Sequence, residues 1–301
     1  MRIFKSLSLC ATLVALLGGA AMAEGAAAGA EPSDDQRQCA ASTGVSPEQK
    51  LASCTAVIAA GRETPQSLAI VFNNRGGAYL TKRDVDHAIA DFDEAIKLDP
   101  KCVPALNSRG YAYQGKGQYD RAIADLDRAI ALNPKNAIGF NFRGNAYRSK
   151  GRYDRAIADL DQAIALNPNY SAAFFSRALA YQDKAQWDFE AYLNEGQYED
   201  HALKDYDEVI RLAPTNRAAY NNRGNVYMSK RQYDRAIKDY DEAIRLDPDD
   251  GLFVRNRANA LRVIGQYERA VAEFRKALTL KVDEPIKRQI ESALKELGAA
   301  G

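Results

Sequence analysis

The chain has 301 residues, 46% hydrophobic and 27% charged, with a formal net charge of +1 at pH 7. That is enough apolar material for a sizeable core. The near-balance of charge leaves no basic footprint for nucleic acid or an anionic membrane surface. In chain order, the first element is a targeting signal. Arg2 and Lys5 precede an apolar run from Leu7 to Ala21, and Ala21-Met22-Ala23 forms a small-x-small cleavage site. This layout predicts a signal peptide over 1–23, because the run is too short to span a bilayer. Cleavage after Ala23 removes Arg2 and Lys5 and moves the net charge from +1 to −1. The expected product has no membrane span and is exported, to a bacterial periplasm or beyond. Residues 24–33, rich in Ala, Gly and Glu, read as a flexible leader.

Three cysteines remain after cleavage: Cys39, Cys54 and Cys102. Export places them where disulfides persist. Cys39 and Cys54 flank a short segment holding Gly44 and Pro47. They are expected to tie two antiparallel helices, Asp34–Ala41 and Pro47–Ala60, as a degenerate N-terminal hairpin over 34–68. A ring of about 15 residues closed in this way adds about 3 kcal/mol in the chain-entropy model. Cys102 falls in a predicted inter-repeat turn and is expected to be a free thiol.

The body of the chain repeats. Pro100, Pro134, Pro168, Pro214 and Pro248 recur at spacings of 34, 34, 46 and 34 residues, and a fixed period in this range marks a solenoid. Six units begin near Ala69, Val103, Ala137, Ser171, Arg217 and Gly251 and fill 69–283. Each carries two helical patterns. In the third, Phe140, Gly144 and Tyr147 share one face of a first helix, Lys150-Gly151 breaks it, and Ala156, Leu160 and Ala163 mark a second. Pro168 then ends the hairpin. Gly76, Gly110, Gly144, Ala178, Gly224 and Ala258 stand at one expected helix crossing, opposite Ala88, Ala122, Ala156, Ala202, Ala236 and Ala270. Phe92, Leu126, Leu160, Tyr206, Tyr240 and Phe274 fill the space around it. Glu284 to Leu297 reads as a closing helix that buries Ile286, Ile290, Leu294 and Leu297, within a capping segment over 284–298.

These small, aromatic and proline markers resemble the tetratricopeptide-repeat family. The resemblance implies an all-α fold, a right-handed α-α superhelix of helical hairpins whose first helices line a concave groove. It also implies a groove face at Asn73, Asn107, Tyr111, Asn141, Asn145, Arg148, Asn221, Asn225, Arg255 and Asn259. A side-chain amide both donates and accepts, so such a ladder is expected to hold an extended peptide without reading its sequence. Only Arg255 and Asn259 approach the family's carboxylate clamp, and no clamp is expected.

One position departs from the family pattern. Arg75, Arg109, Arg143, Arg177, Arg223 and Arg257 replace the usual apolar residue before each crossing. Asp91, Asp125, Asp159, Asp205, Asp239 and Glu273 lie on a matching flank of the second helices. A ladder of structural ion pairs inside or between units is expected. The fourth unit carries an insertion around 186–197 with Trp187, Phe189 and Tyr192, an expected partner contact. Phe175 and Leu179 replace polar groove residues there and predict an apolar pocket beside the insertion.

No reactive constellation is legible. His87 and His201 have no ligand cluster around them, and no phosphate loop or nucleophile–base set occurs. Asp pairs such as Asp159/Asp161 diverge on their helix rather than sharing a proton. No cofactor, metal or catalytic residue is expected. The leading functional reading is a non-enzymatic scaffold for a protein or extended peptide. The alternative is a structural subunit that self-associates into an assembly.

Overall fold

The computed structural model describes residues 31–187 and 196–299. The expected signal peptide, most of the leader, and Phe189 and Tyr192 of the insertion lie outside them. Among the described residues are fifteen α-helices and no β-strand. They fall into two compact units, one ending at Leu166 and one starting at Asn167. The first holds α1 (Asp34–Ala40), α2 (Pro47–Ala60), α3 (Pro65–Thr81), α4 (Val85–Leu98), α5 (Val103–Gly115), α6 (Tyr119–Leu132), α7 (Ala137–Ser149) and α8 (Tyr153–Leu166). The second holds α9 (Ser171–Trp187), α10 (Gln197–Leu212), α11 (Arg217–Ser229), α12 (Tyr233–Leu246), α13 (Gly251–Val263), α14 (Tyr267–Leu278) and α15 (Glu284–Glu296). The first helix of the first full repeat starts at Pro65, ahead of the expected Ala69. Thr64 supplies the cap there by accepting from the Ser67 amide, and Pro65 suits the first turn.

The third hairpin shows how the sequence builds each one. Asn136 caps α7, its Oδ1 accepting from the Gly139 amide at 3.0 Å. α7 ends at Ser149, and Gly151 at φ +70° turns the chain toward α8. A left-handed residue at this turn costs glycine least. Arg83 and Arg231 hold the matching places at φ +63° and +57°. α8 runs to Leu166, and Pro168 follows. Where the two helices cross, a Cβ on Gly144 would stand 2.8 Å from Leu160 Cγ and 3.1 Å from the Ala156 carbonyl oxygen. Glycine therefore sets the closeness of the crossing. Ala156, Leu160 and Ala163 are fully buried in it. Phe92, Leu126, Tyr206, Tyr240 and Phe274 fill the equivalent space in other hairpins and are equally inaccessible.

Within each unit the hairpins stack by one rule. Consecutive first helices pack on each other: α1 on α3, α3 on α5, α5 on α7, and α11 on α13. Each second helix packs on the next first helix, α2 on α3 and α4 on α5 among them. Among the described residues no comparable packing joins consecutive second helices. First helices therefore form the inner wall of each stack and second helices the outer layer. At the C-terminal end α15 takes the place of another first helix. Ile290, Ala293 and Leu294 bury against Val254, Leu261 and Phe274. Lys287, Arg288, Glu291 and Lys295 stay in solvent, which is how a terminal repeat closes an array.

Candidate partner-binding wall

The arginines form the most regular polar feature. Arg143 grips Asp159 with two bonds, Nε to Oδ2 at 2.8 Å and Nη2 to Oδ1 at 2.7 Å. Arg75–Asp91, Arg109–Asp125, Arg177–Asp205 and Arg223–Asp239 repeat this fork geometry. Arg257 reaches Glu273 at 2.7 Å. The remaining Nη1 of Arg109, Arg143, Arg223 and Arg257 goes to Asp93, Asp127, Asp207 and Asp241 of the preceding hairpin, each at 2.6 Å. Each of these arginines thus closes its own hairpin and clips it to the one before. In Arg75, Nη1 goes instead to Thr55 Oγ1 at 3.2 Å. Hydrogen bonding to Asp159 pushes the Arg143 guanidinium above its already high range, so the pair stays ionised.

Sequence reasoning missed those second carboxylates and also a row of lysine staples. Lys116 pairs with Asp86 at 2.5 Å and Lys230 with Asp200 at 2.9 Å. Lys82–Glu48 and Lys150–Asp120 make the same link from a hairpin turn back to the previous second helix. The signal was available, since lysine recurs at 82, 116 and 150 with an acid at 86 and 120. Such exposed pairs each add little.

The asparagine ladder requires a correction. Asn73, Asn107, Asn141 and Asn221 are 1–5% exposed and do not line an open surface. Asn107 and Asn136 exchange side-chain bonds at 3.0 and 3.3 Å across successive first helices. Gly139 leaves room for this, since a Cβ there would meet Asn136 Nδ2 at 2.5 Å. Asn221 accepts from Asn256 of the next first helix at 2.6 Å and donates to Asn222. First helices approach too closely for a ligand to reach the middle of this face. Arg255 reaches Gln289 of α15 at 3.1 Å, so the closing helix engages it. Phe175 is also buried, edge-on to Tyr206 at 5.8 Å.

What stays open lies beside the buried asparagines. In the first unit Tyr111, Asn145 and Arg148 are half-buried, as are Ile70, Pro104 and Ile138 on the same faces. Ile138, Asn141, Asn145 and Arg148 follow helical spacing along one face of α7. In the second unit Asn225 is exposed and accepts from the Tyr240 hydroxyl at 2.8 Å, and Asn259 is half-buried. Trp187, at the end of α9, is 70% exposed. Cys39 and Cys54 are joined in a disulfide with both side chains buried.

Cys102 is a free, buried thiol at the N-cap place of α5, where it makes no capping bond. Burial pushes its pKa up to about 11 from an ordinary value near 9. Between those values the unfolded chain has lost the proton and the native chain has kept it. Stability should therefore fall as pH rises from about 9 to about 11, by up to about 2 kcal/mol. Urea unfolding at pH 8, 9.5 and 11 checks this, with Cys102→Ala losing the Cys102 share of the fall. A thiol reagent at pH 8 should label Cys102 only on unfolding.

Among the described residues no cluster of His, Cys, Asp and Glu is placed to hold a metal ion, and no helix is long and apolar enough to cross a membrane. Models of the tetratricopeptide repeat match residues 69–102, 103–136, 218–250 and 256–281, and a TPR repeat model matches 144–184, together more than half of the chain. The chain belongs to the tetratricopeptide-repeat family. Solved structures share its fold, two of the following being TPR proteins. One from Parabacteroides merdae is 17% identical, covers 81% of this chain and 90% of its own, and superposes with a TM-score of 0.59. A thermophilic TPR protein from Thermus thermophilus is 22% identical over 64% of this chain and 98% of its own, with a TM-score of 0.54. The structure of pilF from Pseudomonas aeruginosa is 16% identical over 75% and 97%, with a TM-score of 0.60. No curated protein matches the chain.

Proposed function

We propose that this TPR protein is a non-enzymatic scaffold of the bacterial cell envelope that holds a protein or peptide partner on the inner wall of its first helices. The supporting observation is what the array leaves over. After stacking buries the crossings and the middle asparagines, Ile70, Pro104, Tyr111, Ile138, Asn145 and Arg148 stay half-open on one wall of the first unit. Ile70, Pro104 and Ile138 form an apolar row and Tyr111, Asn145 and Arg148 a more polar one beside it, which suits the side chains and the backbone of a bound peptide. Exposed Trp187 offers a second anchor of the type that dominates interfaces. The export reading rests on the N-terminal charge–apolar–cleavage pattern and fits the Cys39–Cys54 disulfide.

Two experiments test this. Tagged protein should capture a defined partner from envelope extract, and Tyr111→Ala combined with Arg148→Glu should abolish capture while the far-UV circular-dichroism spectrum at the capture temperature keeps its helical signal. Undiminished capture by that variant would remove the wall from the proposal. N-terminal sequencing of protein recovered from cells should begin at Glu24, and an N-terminus at Met1 would contradict export by cleavage.

A further inference from the structure

We propose that the Cys39–Cys54 disulfide is a redox latch for α1, holding that helix docked when oxidised and releasing it when a small dithiol reduces the bond. The case rests on how little else holds α1. It has 7 residues, under two turns, and Cys39 is its one buried side chain. An isolated helix of that length does not persist in water. Its other ties are polar and partly solvated. Gln36 Nε2 donates to Glu63 at 2.7 Å, Ser53 Oγ to Gln38 Oε1 at 3.0 Å, and Lys50 Nζ to the Ala41 carbonyl at 2.8 Å.

The apolar contact beneath α1 is small. Cys39 and Cys54 pack with Val57 and with Val71 of α3. α2 differs from α1. It spans 14 residues, starts with a capping box at Ser46 and Gln49, and buries Ser53, Cys54 and Val57. Release should therefore stop at α1 and uncover the part of α3 at Val71 on which Cys39 packs.

The chemistry is thiol–disulfide exchange. A thiolate of the dithiol attacks one sulfur and expels the other, which takes up a proton. The reagent's second thiol then attacks the mixed disulfide and frees the remaining cysteine as a thiol. Two electrons and two protons pass to the protein, and the reagent leaves as a cyclic disulfide. Both sulfurs are fully buried, so attack waits for the end of α1 to fray.

Hydrogen exchange on the full chain tests the latch, comparing oxidised protein, dithiothreitol-treated protein and Cys39→Ala/Cys54→Ala. Reduction and the double variant should each lower protection in peptides covering 34–41 by roughly two orders of magnitude, the loop-closure effect for a sequence separation of 15. Helices α4 to α8 should exchange unchanged. A bond that dithiothreitol leaves intact in the native protein would overturn the proposal, because the latch could not then be opened by a small dithiol. Equal protection of α1 with and without the bond would overturn the proposal. So would a loss spreading into α4 to α8, because the bond would then stabilise the whole stack.

Discussion

Replacing Arg143 with alanine is expected to destabilise the protein by about 3–5 kcal/mol, the range for breaking one side of a buried ion pair. The Arg143 and Asp159 side chains are 19% and 11% exposed, so the orphaned carboxylate has little water to turn to. Asp127, half exposed, loses a partner at small cost. The loss belongs to stranding a charge, not to the pair's net value. Arg143→Leu combined with Asp159→Leu should accordingly recover most of the stability, because two apolar side chains replace a buried pair almost neutrally. Urea unfolding followed by far-UV circular dichroism checks both variants. An unchanged curve for Arg143→Ala would show that the forked pairs hold nothing together.

The second large effect is expected where helices cross. Leu160→Ala should cost about 3 kcal/mol, since the side chain is fully buried and its neighbours cannot all collapse into the space. Gly144→Ala should also destabilise, by about 1–2 kcal/mol, although glycine to alanine usually favours a helix by about 1 kcal/mol. The sign reverses because the new methyl meets Leu160 Cγ at 2.8 Å and the Ala156 backbone oxygen at 3.1 Å. The two changes should couple. In the double variant the added methyl enters space that Leu160 vacates, so the combined loss should be smaller than the sum. Thermal and urea melts of the three variants measure this. A stabilising Gly144→Ala would mean that the helices do not approach closely here.

The hairpins themselves were legible because their markers are local and periodic. Gly144, Ala156, Leu160 and Pro168 announce two helices, a close crossing and a stop within one repeat length. The arginines were legible as partners of Asp91 through Asp239 because both rows share the period. Their second carboxylates were not, for an instructive reason. Spacing of two on a helix, as in Asp159/Asp161, predicts divergence, and Asp125 and Asp127 do diverge, Asp125 toward its own hairpin's Arg109 and Asp127 toward the next hairpin's Arg143. Divergence ruled out a shared proton but also described a clip between neighbours.

The asparagines show the limit of reading a helical wheel. The wheel gives the direction in which Asn107 and Asn141 point, toward the inner wall. It does not give the distance to the next first helix, which depends on small residues such as Gly139 on a neighbouring turn. That distance turned an expected ligand contact into a buried joint at Asn107–Asn136. Tyr111, Asn145 and Arg148, toward the edge of the same face, stay half-buried, Tyr111 with its ring 5.2 Å from Phe142 of the next first helix. Cys102 is a related case. It stands one repeat before Asn136, and a thiol there leaves the Asn73 Oδ1 buried without a partner.

The account depends on first helices, not second helices, meeting the partner. The most direct measurement places a photocrosslinking amino acid at Asn145 on the inner wall of α7 or at Gln162 on the solvent face of α8, and illuminates cells or envelope extract. The account predicts a discrete adduct from position 145 and none from position 162. Adducts from 162 with none from 145 would contradict it and place recognition on the outer layer.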